Sequence, residues 1–210
     1  MNKTAITKKV IKKIVLASGN AGKVREINKL FTGSGIEVVP QSEFNVSEVA
    51  ETGTTFVENA IIKARHAAQC TGLPAISDDS GIEVDALNAR PGVYSARYAG
   101  ENASDNDNNN LMLKELAGVN EANRIARYQC LLVFMRSHSD PVPIITQGSW
   151  EGRILEAPQG DGGFGYDPIF YVPTHDCSSG ELSLAVKNTI SHRAIALKAM
   201  LEQFKKHRYI

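Results

Sequence analysis

Apolar residues along this chain fall in short runs and in helical stripes that follow one another, a pattern that predicts mixed strands and helices. Ile14-Val15-Leu16-Ala17 is a short apolar run after a basic leader and suits a buried strand. It ends in the turn Ser18-Gly19-Asn20-Ala21-Gly22, after which Val24, Ile27, Leu30 and Phe31 fall at helical spacing up to Gly33 and Gly35. Ile36 to Val39 predicts a second strand. Thr55-Phe56-Val57-Glu58 has the Ser/Thr-x-x-Glu form of a capping box. Phe56, Val57, Ala60, Ile61, Ala64, Ala67 and Ala68 follow on one face, so the spacing predicts a helix to Cys70 that stops at Gly72. Leu73 to Ser77 reads as a buried strand delivering Asp78-Asp79-Ser80-Gly81 at its end, and Ile82, Val84 and Val93 to Tyr98 read as extended. Leu111 to Leu116 sits in a helix, Arg124 to Met135 in a long strand, and Ile144 to Leu155 in a strand or bulged hairpin. Ile195, Leu197, Met200, Leu201 and Phe204 make His192 to Phe204 a terminal amphipathic helix. The expected fold class is α/β, an elongated mixed β-sheet flanked by helices, with two lobes and a central cleft. Residues 1–12 read as a basic leader and 13–210 as a single two-lobed domain.

The 210 residues are ample for a hydrophobic core. The longest apolar run, Cys130 to Met135, is far short of a membrane span, and no signal-peptide core follows the first lysines. Cys70, Cys130 and Cys177 are odd in number and scattered, which argues against a disulfide framework or zinc knuckle and for a reducing cytoplasm. With 23 Lys+Arg and 23 Asp+Glu, the net charge is zero. That zero is a cancellation: residues 1–29 carry +7, residues 187–210 carry +5, and the remainder carries −12. A fold that brings the ends beside the middle builds a site for an anion and a divalent cation together.

Four segments carry candidate chemistry. In Ser18-Gly19-Asn20-Ala21-Gly22-Lys23, a glycine-bearing turn between strand and helix exposes N–H groups at the positive helix end, with Lys23 as a point charge for phosphate. An ordinary turn with a surface lysine explains the segment equally well, and it is not a P-loop. The second segment, Asp78-Asp79-Ser80-Gly81, offers oxygen ligands that suit Mg²⁺, and a carboxylate that could deprotonate water. The plain alternative is a solvated Asx turn. Glu51-Thr52-Gly53 is a weaker partner, a loop acid. Gly160 to Pro168 holds four glycines in six residues, and Phe164 and Tyr166 offer flat faces for a purine base, unless both are core aromatics of a hairpin. Ser191-His192-Arg193, with Lys187 upstream, places cations at a helix start, which the macrodipole disfavours unless an anion or base acceptor faces them. By itself a Ser191 N-cap with solvated side chains explains it better.

In this order, the segments resemble the inosine/xanthosine triphosphate pyrophosphatase family from Ile14 to about Leu201. The matching words are Ser18 to Lys23, Glu51-Thr52-Gly53, Glu58-Asn59-Ala60, Lys63-Ala64-Arg65, Ser77 to Gly81, Pro91 to Tyr98, Gly162 to Phe170, and Ser191-His192-Arg193. The resemblance implies Mg²⁺-dependent hydrolysis of ITP, dITP and XTP to monophosphate and pyrophosphate, which keeps deaminated purines out of nucleic acid. It implies a cytoplasmic homodimer with no stable nucleic-acid partner and no membrane association. Ser18, Gly19, Asn20, Ala21, Gly22 and Lys23 would hold the triphosphate. Glu51 and Asp79 would bind Mg²⁺, with Asp78 a further candidate ligand, and Asp79 would be the base. Ser80 would contact substrate, and Phe164, Gly165, Tyr166, Asp167, Lys187, His192 and Arg193 would form the base and sugar pocket. Two rival readings remain: a Maf-like pyrophosphatase for other modified nucleotides, and a non-enzymatic nucleotide or nucleic-acid binder using the lysine-rich leader.

Overall fold

The computed structural model describes residues 11–19 and 21–210. Residues 1–10, most of the expected leader, and Asn20 of the candidate phosphate turn lie outside the described residues. The elements in order are β1 (Lys13–Ala17), α1 (Ala21–Leu30), β2 (Glu37–Pro40), α2 (Phe56–Thr71), β3 (Ala75–Val84), β4 (Arg90–Pro91) and a 3₁₀ turn (Gly92–Arg97). Then follow α3 (Asp105–Glu115), β5 (Ile125–Met135), β6 (Ile144–Ile154), β7 (Phe170–Val172), β8 (Cys177–Ser178), α4 (Leu184–Ile190) and α5 (His192–Lys206). The eight strands form one mixed sheet in the order β2-β1-β3-β5-β6-β7-β8, with β4 paired to β3. β1 is parallel to β2 and β3, and the remaining pairings are antiparallel.

Local chemistry sets the ends of α2. Thr55 Oγ1 accepts the Glu58 N–H at 3.3 Å, and Glu58 Oε2 accepts the Thr55 N–H at 3.0 Å, which closes the expected capping box. Gly72 ends the helix in the left-handed region, at φ +68°. One core cluster gathers Ile14, Leu16, Ile27, Phe31, Ile76, Leu132, Phe134, Met200 and Phe204 between the sheet and α1 and α5. A second, drawn from the other ends of the long strands, gathers Ile82, Met112, Leu116, Tyr128, Trp150, Tyr166 and Phe170. Burying each such side chain contributes roughly 1.5–3 kcal/mol.

Several expectations change. β3 does not end at Ser77: it runs on to Val84, because each of its ten residues pairs with β5, Asp78 opposite Leu132 and Asp79 opposite Leu131. The two aspartates are therefore neighbours in a strand, and their side chains point to opposite faces of the sheet. That alternation, and not solvation, separates their charges. Residues 93–98 are not extended. The Ser95 hydroxyl donates to the Gly92 carbonyl at 2.6 Å and accepts the Ile82 N–H at 2.9 Å, winding the segment into a 3₁₀ turn over β3. Gly81 permits this approach, since a Cβ there would stand 2.5 Å from the Gly92 oxygen. β6 is one continuous strand, α1 begins at Ala21, ahead of its apolar stripe, and α4 had no counterpart in the sequence reading. Among the described residues no helix is long and apolar enough to cross a membrane.

Candidate active site

A cavity of about 480 Å³ opens where β1 hands over to α1. Ala17, Ser18, Gly19 and Lys23 line it from the amino-terminal side, Glu51 and Lys63 from the loop before α2 and from α2 itself, and Asp78 and Ala96 from β3 and the 3₁₀ turn. Gly22 and Lys23 lie in the first turn of α1, at the positive end of the helix. The cavity thus joins the basic start of the chain to carboxylates of its acidic middle.

β3 presents its alternate residues to different partners. Ser77 and Asp79 face α2: the Ser77 hydroxyl donates to the Ala60 carbonyl at 2.6 Å, and Lys63 Nζ donates to Asp79 at 2.7 Å. Lys63 Nζ also lies 2.9 Å from Glu51. Two carboxylates from separate elements therefore converge on one ammonium. Burial pushes the Asp79 carboxyl up from its ordinary value, and Lys63 only partly offsets that. For Lys63, burial opposes the charge, but Asp79 and Glu51 outweigh it and hold the ammonium above its usual value. Lys63 is the site residue to which the sequence reading gave no role. Its signals were its place in the matching word Lys63-Ala64-Arg65 and its position three residues after Ala60, on the edge of the buried stripe of α2.

Hard oxygen donors at Glu51 and Asp79 suit Mg²⁺, which takes one or two carboxylates and completes its shell with phosphate oxygens and water. Among the described residues no cluster of three or more His, Cys, Asp or Glu could hold a metal. Glu51 and Asp79 as a donor pair fit a hard cation that completes its shell with phosphate and water.

Asp78 and Ser80 face the opposite side. Asp78 pairs with Lys23, accepts Arg193 Nε at 2.8 Å and the Cys130 thiol at 3.3 Å, and takes the Ser80 hydroxyl at 3.2 Å. Burial opposes its ionisation, yet Arg193 and Lys23 outweigh burial and hold the carboxyl well below the usual range. Both oxygens are engaged by cations and donors, so Asp78 anchors Lys23 and Arg193 in this structure. Arg193 is likewise committed: its guanidinium also meets Glu26 and the Ser80 hydroxyl, each at 3.2 Å. Arg193 and Ser80, the expected base-facing and substrate-contacting residues, are thus members of one buried network in this structure.

The glycine-rich loop places its two aromatics differently. The Phe164 ring is 47% exposed, with Lys187 Nζ 4.6 Å and Arg193 Cζ 5.9 Å from its centroid. Tyr166 is buried, and its hydroxyl donates to the Ser95 carbonyl at 2.7 Å, so the flat face expected there belongs to the core. Asp167 is buried as well. It accepts the Phe164 N–H at 2.8 Å and the Ser179 hydroxyl at 2.9 Å, and it pairs with Lys187, so it holds the loop and the lysine in place. His192 stacks on Tyr128, centroids 4.7 Å apart and planes 7° apart, and its buried Nδ1 has no hydrogen-bond partner among the described residues. Burial, helped by the Arg193 charge, pushes the imidazole well below its ordinary value, so it is neutral at physiological pH. Ser191 caps α5, accepting the Ala194 N–H at 3.3 Å. Gly148 lets the helix start lie against β6, since a Cβ there would overlap the His192 carbonyl.

The chain is similar to known proteins over most of its length. Residues 14–203 match the model of the Ham1 family. A relative from Vibrio parahaemolyticus, named dITP/XTP pyrophosphatase, is 63% identical over 193 residues, covering 92% of this chain and 96% of the relative. Another of the same name from Vibrio cholerae is 59% identical, covering 94% and 99%. Among solved structures, a HAM1 protein from Coxiella burnetii superposes with a TM-score of 0.90 at 48% identity, covering 93% of this chain and 100% of that one. A nucleoside-triphosphatase / dITP/XTP pyrophosphatase from Mycobacterium abscessus gives 0.75 at 38% identity, with 90% and 98% covered.

Proposed function

The chain belongs to the Ham1 family, and from that premise we propose that it hydrolyses nonstandard purine nucleoside triphosphates, ITP, dITP and XTP, to the monophosphate and pyrophosphate. One observation carries the reading. A single cavity is lined by the glycine turn, by Lys23 and Lys63, and by Glu51, which shares Lys63 with Asp79, so phosphate and cation ligands meet. The turn after β1 and Lys23 bind the triphosphate, and Lys63 adds charge beside the carboxylates. Glu51 and Asp79 are the residues that would hold Mg²⁺. When bound, the ion neutralises phosphate charge and polarises the phosphoryl group under attack. Asp79 orients a water at the α-phosphorus and accepts its proton as the bond to the bridging oxygen breaks and pyrophosphate leaves.

The base lies on Phe164 beside Lys187 and His192. A neutral imidazole has one N–H donor, which suits the 6-oxo group of hypoxanthine or xanthine. Adenine places an amino donor there and would leave buried donors unpaired, at a cost of about 1–3 kcal/mol. The proposal includes a homodimeric enzyme of the cytoplasm, as the family resemblance implies. Hydrolysis of ITP in ¹⁸O-water tests the reaction. The expected products are labelled inosine monophosphate and unlabelled pyrophosphate, and removal of divalent cations stops their formation. Inosine diphosphate with orthophosphate would overturn the assignment.

A further inference from the structure

One face of α3 touches both the 3₁₀ turn beside the cavity and the glycine-rich loop. Asp105, Asn108, Asn109 and Met112 stand three or four residues apart and share that face, which continues as the buried stripe of Met112 and Leu116. Asn108 and Asn109 are buried. Asn108 donates to the Ala96 carbonyl at 3.2 Å and accepts the Ala99 N–H at 2.8 Å, so it holds the 3₁₀ turn whose Ala96 lines the cavity. Asn109 Nδ2 donates to the Gly165 carbonyl at 3.1 Å, and Asp105 Oδ2 accepts the Gly165 N–H at 2.6 Å. Both backbone groups of one loop glycine are thus closed by a single helix turn.

Gly165 sits in the left-handed region at φ +62°, between Phe164 and Tyr166. A loop with this many glycines has much backbone entropy to lose, so the Phe164 ring stays in place only if something restrains its neighbours. Asp167 holds the Phe164 N–H on one side, and α3 holds Gly165 on the other. We propose that Asp105 and Asn109 are positioning residues for base recognition: they fix Gly165, and through it set the Phe164 ring beside Lys187 and Arg193. This rests on reading the cleft as a purine triphosphate site.

The test measures binding without turnover, using inosine monophosphate and inorganic pyrophosphate as separate probes on the full-length protein. Asn109→Ala and Asp105→Ala should each weaken inosine monophosphate about fivefold, the loss of one hydrogen bond, and leave pyrophosphate within about twofold. Amide exchange at residues 162–166 should quicken in both variants. Asp105→Asn keeps an acceptor oxygen and should restore the wild-type affinity for the monophosphate. Asp105 is exposed, so its variants test the idea even if Asn109→Ala does not fold. Unchanged monophosphate binding in the Asp105→Ala protein, or equal weakening of both probes, would overturn the role of α3 while leaving the proposed activity intact. A wild-type protein that binds adenosine monophosphate as well as inosine monophosphate would overturn the base reading itself, and this role with it.

Discussion

Asp79→Asn is expected to lower kcat for ITP by about 10²–10⁴-fold, the usual worth of a positioned general base. The amide keeps the size of the carboxylate and an oxygen toward Lys63, so what it removes is the charge and the proton acceptor. Stability should move little. A carboxyl whose pKa is raised by burial stabilises the fold only when protonated, and that contribution is lost as pH rises through its folded value. The neutral amide removes that cost at neutral pH, but it also takes from Lys63 one of the two carboxylates that hold its charge, leaving Glu51. The variant should therefore melt close to wild type while losing activity. Steady-state kinetics beside thermal melting checks both halves, and near-normal kcat would remove Asp79 from the chemistry.

Asp78→Ala should behave in the opposite sense, as a stability variant first. It takes from Arg193, 3% exposed, the nearer of its two carboxylates, leaving Glu26, and it removes an ion pair to Lys23. Breaking a buried pair from one side costs about 3–5 kcal/mol. In a chain of this size that is a fall in Tm of roughly 10 °C. The pH dependence follows from the depressed carboxyl. Its contribution is present above the ordinary carboxylate value of 3.8 and fades as pH falls from there toward the much lower folded value. Denaturant unfolding at a series of pH values should show that acid slope in wild type and a flatter one in the variant. Equal slopes would mean that Asp78 is not ionised in the fold.

Much of the fold was legible because local signals and packing agree in it. Thr55 and Glu58 announce the start of α2, Gly72 its end, and the apolar stretch from Ile125 to Met135 a long strand. Asp78 to Gly81 misled for a physical reason. Two acids, a serine and a glycine carry turn chemistry, and only pairing with a distant strand, β5, overrides it. Once that pairing is known, period-two alternation assigns Asp79 to the Lys63 and Glu51 side and Asp78 to the Lys23 and Arg193 side. Phe164 and Tyr166 were indistinguishable in sequence. What separates them is the Ser95 carbonyl, 71 residues upstream, which captures the tyrosine hydroxyl. The buried network of Arg193 with Asp78 and Glu26 likewise joins residues more than a hundred positions apart, so no local pattern could reveal it. The zero net charge hid a cleft where Lys23, Lys63 and carboxylates meet.

The central claim is that this cleft selects 6-oxopurine triphosphates that are not standard nucleic-acid precursors. The most direct measurement is kcat/KM for pyrophosphate release from ITP, XTP, GTP and ATP under one set of Mg²⁺ conditions. ITP and XTP should exceed ATP by about a hundredfold or more, in keeping with the cost of unpaired polar groups in a built site, and the relation to dITP/XTP pyrophosphatases predicts that they exceed GTP as well. Equal values across the four nucleotides would contradict the account.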